Sequence, residues 1–348
     1  MGALVNKKSP TAFMLFLIVF FILSSIVVEV AVYLLVEAGV PRAIFSSMWF
    51  MIFLQFFRLL LPLFIWLRIT KDSFRAHMPN RPLDLVNIIY IFFLTLLAMP
   101  SVMLVSASMT MLTDNVAAEM MTGLTDAGHP WWLLMLTIAV TPAIVEELVF
   151  RGYIQSVQRG TVLKVCVFNG FLFGLMHLNL HQFAYTFIVG IGWAYIVYIT
   201  KSVWAGVWSH FIMNGSNVTL MYWATLGAEV SEEVPELTLA ETMRDAFIET
   251  DPEMAQRVYE FFYGANVMVF AIIVVGIIAI PTAIGAWFVF RAFVRHNREI
   301  ELRLAEKVEI EVEENEIAEE PNDDIPRKKF DWCFALVILI FVVFAFIL

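Results

Sequence analysis

Apolar stretches long enough to cross a hydrocarbon core recur along this chain, and no other feature narrows its folds so far. A helix needs about 17–25 apolar residues to span a bilayer. Nine stretches qualify, at residues 12–37, 44–68, 85–111, 131–157, 161–180, 183–200, 203–225, 260–294 and 331–348. Only 16% of side chains are charged and 60% are hydrophobic, whereas a soluble domain is typically about a quarter charged. The prediction is an all-α, polytopic transmembrane helical bundle of eight or nine spans. The first stretch follows Lys7 and Lys8 like a signal peptide. It is longer than the usual h-region of about 7–15 residues and lacks a small-residue cleavage site, so it reads as a retained helix.

Basic residues mark the cytoplasmic side of a membrane protein. Lys7 and Lys8, then Arg68, Lys71, Arg75 and Arg81, then Arg159 and Lys164, then Lys201, then Arg291, Arg295, Arg298 and Arg303 fall in alternate loops. The intervening loops hold only Arg42, Arg244 and Arg257. Nine spans with a cytoplasmic N-terminus fit this alternation.

The net charge of -10 argues against nucleic-acid partners, which favour a basic stripe. Its origin is local. Residues 225–260 carry -8 and residues 297–326 carry -9, which leaves +7 for the rest. The chain therefore divides into N-terminal spans (1–125), a helical core (126–225), an acidic outer loop (226–259), a span (260–296), an acidic cytoplasmic linker (297–330) and a last span (331–348). Leu237–Thr250 has the pattern of a short amphipathic helix. The alternation from Val308 to Glu314 fits either a strand or a charged helix. Cys166 and Cys333 lie in separate apolar runs and suggest neither a disulfide nor a zinc site.

Ionisable groups inside spans are costly and usually face the bundle interior or a wet cavity. Here they concentrate between residues 141 and 214. Glu147 and Arg151 stand four residues apart on one helix face and can pair. Glu146 is rotated about 100° away and can point into a cavity. Pro142 has no N–H and so frees the carbonyl of residue 138. His177 ends the fifth stretch, and His210 shares a face with Asn214. A carboxylate with a histidine around a water is general-base chemistry, and a neighbouring His and Asn can donate to an oxyanion. Straight helices would leave Glu146 and His177 about 10 Å apart in depth, so a shared site requires a bend, a tilt or a displaced helix. Other polar groups read as structural. Ser209 faces away from His210, His181 reads as interfacial, and Phe173, Trp193, Trp204 and Trp208 read as packing. Arg58, alone in the second span, has no assigned role.

Glu-Glu-x-x-x-Arg at Glu146, Glu147 and Arg151, Phe-x-x-x-His at Phe173 and His177, and His-x-x-x-Asn at His210 and Asn214 resemble, in order and spacing, the motifs of the CPBP/ABI family. That family contains the type II CAAX prenyl endopeptidases and bacteriocin-processing or self-immunity membrane proteins. The resemblance covers about residues 130–225. It implies an intramembrane endopeptidase in which Glu146 and His177 activate water, His210 and Asn214 stabilise the oxyanion, and Glu147 and Arg151 shape the site. It implies a peptide or lipidated protein as substrate, membrane lipid as surroundings, and the plasma membrane of a prokaryote as location. No metal is favoured; zinc on Glu146, His177 and His210 is the alternative, and no His-Glu-x-x-His motif supports it. The competing functional readings are a non-catalytic scaffold or self-immunity protein of the same fold, and a transporter with a proton relay.

Overall fold

A computed structural model describes residues 9–113, 115–231, 248, 251–262, 265–313 and 332–346. Its elements are α1 (Pro10–Glu37), α2 (Arg42–Phe45), α3 (Met48–Thr70), α4 (Phe74–His77), α5 (Leu85–Thr110), α6 (Val116–Asp126), α7 (Trp131–Val157), α8 (Val162–Met176), α9 (Leu180–Thr200), α10 (Val203–Ser231), α11 (Pro252–Phe262), α12 (Ala265–Glu313) and α13 (Trp332–Phe346). The protein is an all-α integral membrane bundle. Among the described residues six helices are long and apolar enough to cross a bilayer, namely α1, α3, α5, α7, α9 and the Val269–Glu306 part of α12.

Every apolar stretch became a helix, with three departures from the expected boundaries. The stretch 161–180 yields only α8, whose 15 residues rise about 22 Å, short of a core of about 30 Å. The chain turns at Leu178, which adopts a left-handed φ of 49°, and Asn179 then caps α9 by accepting from the Gln182 N–H (2.9 Å). Second, the acidic loop is partly helical. Helix α10 continues to Ser231 and Pro252–Phe262 forms α11, while the Leu237–Thr250 segment, Ile248 apart, lies outside the described residues. Third, the last long span does not stop near residue 296. Helix α12 runs unbroken for 49 residues, roughly 70 Å. It carries the alternating residues Val308–Glu313 as helix, and residues 314–331 lie outside the described residues.

Helix α7 holds the centre of the bundle and is not a regular α-helix. Met135–Val140 and Leu148–Ile154 are π-helical, on either side of an α-helical Thr141–Glu147. Pro142 explains the first stretch. Without its N–H the Ile138 carbonyl has no i+4 donor, and Asn214 Nδ2 on α10 donates to that oxygen instead (3.0 Å). In the second stretch the Phe150 carbonyl accepts from both the Gln155 N–H and Asn169 Nδ2 on α8 (2.8 Å). Gln155 Nε2 donates to Ala194 O on α9 (2.9 Å).

Helices α8 and α9 form a close hairpin. A Cβ at Gly170 would lie 2.7 Å from Ile191 N, and one at Gly190 would lie 2.9 Å from Gly170 Cα. Only glycine permits backbones that near, which is how small residues hold membrane helices together. On the basic side, Arg81 N donates to Lys201 O (3.0 Å) and Val203 N to Pro79 O (2.7 Å). Asn87 and Asn297 exchange hydrogen bonds of 3.2 and 2.7 Å between α5 and α12. Beside them Asp84 caps α5 and faces His296 at 3.3 Å. Burial alone would raise the Asp84 carboxyl, but the Asn87 N–H and His296 outweigh it and hold it below the usual carboxylate range.

Candidate active site

Glu147 and Arg151 lie on the buried side of α7, both fully enclosed. Arg151 Nη1 donates to Glu147 Oε1 (2.8 Å) and Nη2 to Gly190 O on α9 (3.0 Å). The guanidinium also lies over the rings of Phe173 (4.4 Å) and Trp193 (5.4 Å). This one cation therefore fastens α7 to the α8–α9 hairpin. His210 Nδ1 donates to the same Glu147 Oε1 (3.2 Å), and its ring stacks on Trp193 at 4.1 Å.

Hydrogen-bond direction fixes the tautomer of His210. Ionised Glu147 only accepts, so Nδ1 carries the proton and Nε2 accepts from Asn214 Nδ2 (3.1 Å). Asn214 then has both amide protons in use, one on His210 and one on the Ile138 carbonyl. Ser209 is turned away from this chain and shares a proton with Thr95 (2.7 Å).

Glu146 and His177 stand apart from that cluster and face a pocket of about 320 Å³. Helix α3 contributes Met51, Leu54, Gln55, Arg58 and Leu59 to its wall. Among the described residues the Glu146 side chain makes no hydrogen bond or ion pair. His177 Nδ1 donates to the Phe173 carbonyl (3.0 Å), which can only accept, so the neutral ring presents an unprotonated Nε2. Despite the depth mismatch expected of straight helices, both residues line one pocket, and α7 is rewound on both sides of Glu146. Phe173 is the partition between the two halves of the site. Its ring meets His177 at 5.1 Å and His210 at 6.2 Å.

Residues 128–216 match the family model described as type II CAAX prenyl endopeptidase Rce1-like. This segment is an Rce1-like domain. No curated protein and no solved structure gives a significant match. The Rce1-like segment contains all six residues singled out from the sequence, and its similarity is to a CAAX-type family of proteases. Helices α1 and α3, which complete the pocket, lie outside it.

Among the described residues no three His, Cys, Asp or Glu side chains gather closely enough to hold a metal ion, and both ring nitrogens of His210 have hydrogen-bond partners. Nor does a disulfide join Cys166 to Cys333.

Several residues of the site were not singled out from the sequence. Trp193 is the stacking platform for His210 rather than general packing. Gly206 is the point where α10 passes Glu147, since an added Cβ would run into Glu147 Oε2. Neither carries a signal that a single sequence exposes. Arg58 and Gln55 do, as polar residues inside an otherwise apolar span, and they line the pocket opposite Glu146. His181 is buried rather than interfacial. Its Nε2 bonds Ser106 Oγ (3.0 Å) and its Nδ1 bonds Thr113 Oγ1 (3.3 Å), which ties the hairpin tip to the end of α5.

Proposed function

We propose that this protein is an intramembrane endopeptidase in which Glu146, acting with His177, activates water without a metal. The observation that supports this most is that both side chains open onto one pocket of the Rce1-like domain, with the lone pair of His177 Nε2 free. Glu146 takes a proton as the water oxygen attacks the peptide carbonyl carbon. The C–N bond then breaks, and that proton passes to the departing amine.

Asn214 serves the oxyanion in this reading, and His210, whose Nδ1 proton is held by Glu147, positions the Asn214 amide. An anionic oxygen is a stronger acceptor than a neutral carbonyl, so the substrate takes the place of Ile138 O or His210 Nε2 on the Asn214 amide. Glu147 and Arg151 hold the wall rather than react. The proposed substrate is a peptide cut near its C-terminus, prenylated or otherwise associated with the membrane, and the proposed location is the plasma membrane of a prokaryote with the N-terminus cytoplasmic.

The test compares membranes holding wild-type protein with membranes holding Glu146→Gln at matched protein level. Mass spectrometry should find released peptides that depend on Glu146. Equal release from both would end the protease reading and leave a scaffold or immunity role.

A further inference from the structure

Arg58 is a cation in the middle of a membrane span. It is the eleventh of the 23 residues of α3, about 15 Å from either end, and an arginine side chain cannot snorkel that far to the interface. It nevertheless has no anionic partner among the described residues. Among the described residues it makes no hydrogen bond or ion pair, its Nε is buried without an acceptor, and its one close neighbour of note is the Phe21 ring at 5.1 Å. Such a group is expensive to keep in a bilayer unless something pairs with it.

The position of Arg58 says what that is. Met51, Leu54, Gln55, Arg58 and Leu59 follow helical i, i+3, i+4, i+7 and i+8 spacing, so a single face of α3 lines the pocket that holds Glu146 and His177. Gln55 Nε2 donates to Thr137 O (2.9 Å), while Gln55 Oε1 is buried without a donor. One wall thus offers a free cation and a free amide acceptor, a pair suited to an anionic chain end and a peptide N–H.

The helix register supplies a length. Trp49 lies against Trp132 (6.5 Å), Gln55 against Thr137 and Trp66 against Tyr153, so α3 and α7 run in parallel and Arg58 stands opposite residues 140–142. Glu146 is four to six residues further along α7, roughly 6–9 Å. An extended peptide covers about 3.3–3.6 Å per residue, so that gap corresponds to two or three residues.

We infer that Arg58 binds the free C-terminal carboxylate of the substrate peptide and thereby sets cleavage two or three residues from the chain end. A guanidinium pairs with a carboxylate through two parallel N–H···O bonds, which gives orientation as well as attraction. The inference rests on the protease reading above and goes beyond it by naming the group that selects a chain end.

The test uses the full-length protein in lipid vesicles and a quenched fluorescent peptide with a farnesylated cysteine three residues before its end. The peptide is made as the free acid, as the carboxamide, and as a carboxamide whose last residue is Glu. Wild-type protein should prefer the free acid over the plain carboxamide by about tenfold or more in kcat/KM, in line with a hydrogen bond to a charged group. Arg58→Gln should bring the two together, and Arg58→Lys should restore part of the preference.

Equal cleavage of acid and carboxamide by wild type, with Glu146→Gln inactive, overturns this inference and leaves the protease intact. A Glu-ended carboxamide as good as the free acid overturns it in favour of an acidic side chain. Cleavage by Glu146→Gln, or no cleavage of any peptide by wild type, removes the underlying reading and this inference with it. The acid-to-amide ratio in wild type decides even if the Arg58 variants do not fold.

Discussion

Adjacent glutamates on α7 carry opposite duties because a helix turns about 100° between them. Glu147 is enclosed, paired with Arg151 and bonded to His210, whereas Glu146 faces the pocket alone. The two should therefore fail differently when replaced. Glu147→Ala leaves Arg151 as an uncompensated buried charge, a change that costs about 3–5 kcal/mol, and unfolding in detergent should show a loss of that order. Replacing both residues together, as Glu147→Leu with Arg151→Met, should recover much of it. Glu146→Gln should abolish cleavage with the unfolding midpoint close to wild type, and equal destabilisation by both single variants would contradict this division. Gly206→Ala is a second test of the enclosed carboxylate. Its methyl would meet Glu147 Oε2 and lie 2.9 Å from Val197 Cγ2, so overpacking of about 1–3 kcal/mol is expected.

At the scale of elements, what could be read from the sequence depended on whether a pattern had a single meaning. Uninterrupted apolar runs have one, and every such run is a helix. The missing N–H of Pro142 has one too, and the carbonyl it orphans is the one that Asn214 reaches. Hydropathy runs on through Met176, His177 and Leu178, so the sequence does not show that α8 stops there; a single left-handed residue ends it. Alternating Val, Ile and Glu after residue 307 suit a strand face or a charged helix, and continuation of α12 decides between them. The site was legible where charge stands out against lipid and not where its parts are aromatic or glycine. Pro142→Ala tests whether the rewinding of α7 serves the chemistry. The restored N–H would compete with Asn214 for Ile138 O, while an interior proline costs a helix about 3 kcal/mol. The expected outcome is an unfolding midpoint at or above wild type together with slower cleavage. Undiminished cleavage would make the π-helical stretch a packing feature alone.

Across the whole molecule, the chemistry and the charge occupy different parts of the chain. No pocket residue comes from α12 or α13, and the two acidic segments lie outside residues 128–216. Helix α12 instead braces α5 through the Asn87–Asn297 exchange and the Asp84–His296 contact. Because the folded protein holds the Asp84 carboxyl below its ordinary value, this contact contributes stability above the unfolded pKa, and the contribution disappears as pH falls through the lower folded one. Below pH of about 4 wild type should therefore lose stability that Asp84→Asn lacks at every pH, and a pH series of unfolding midpoints for the two proteins should converge at the acid end. Helix α13 has a separate role. Val337 and Phe341 enter the core, Phe334 meets Phe168 at 5.6 Å, and Phe341 meets Phe183 at 5.0 Å. It thus packs against α1 and the α8–α9 hairpin without itself reaching the pocket. A chain ended after residue 313 should unfold at lower temperature yet still cleave at low temperature, since α1, α3, α7, α8 and α9 keep every wall of the pocket. Loss of cleavage in a truncated protein that remains folded would mean that α13 holds the pocket in place through α1 or the hairpin, and would extend the functional unit to include α13.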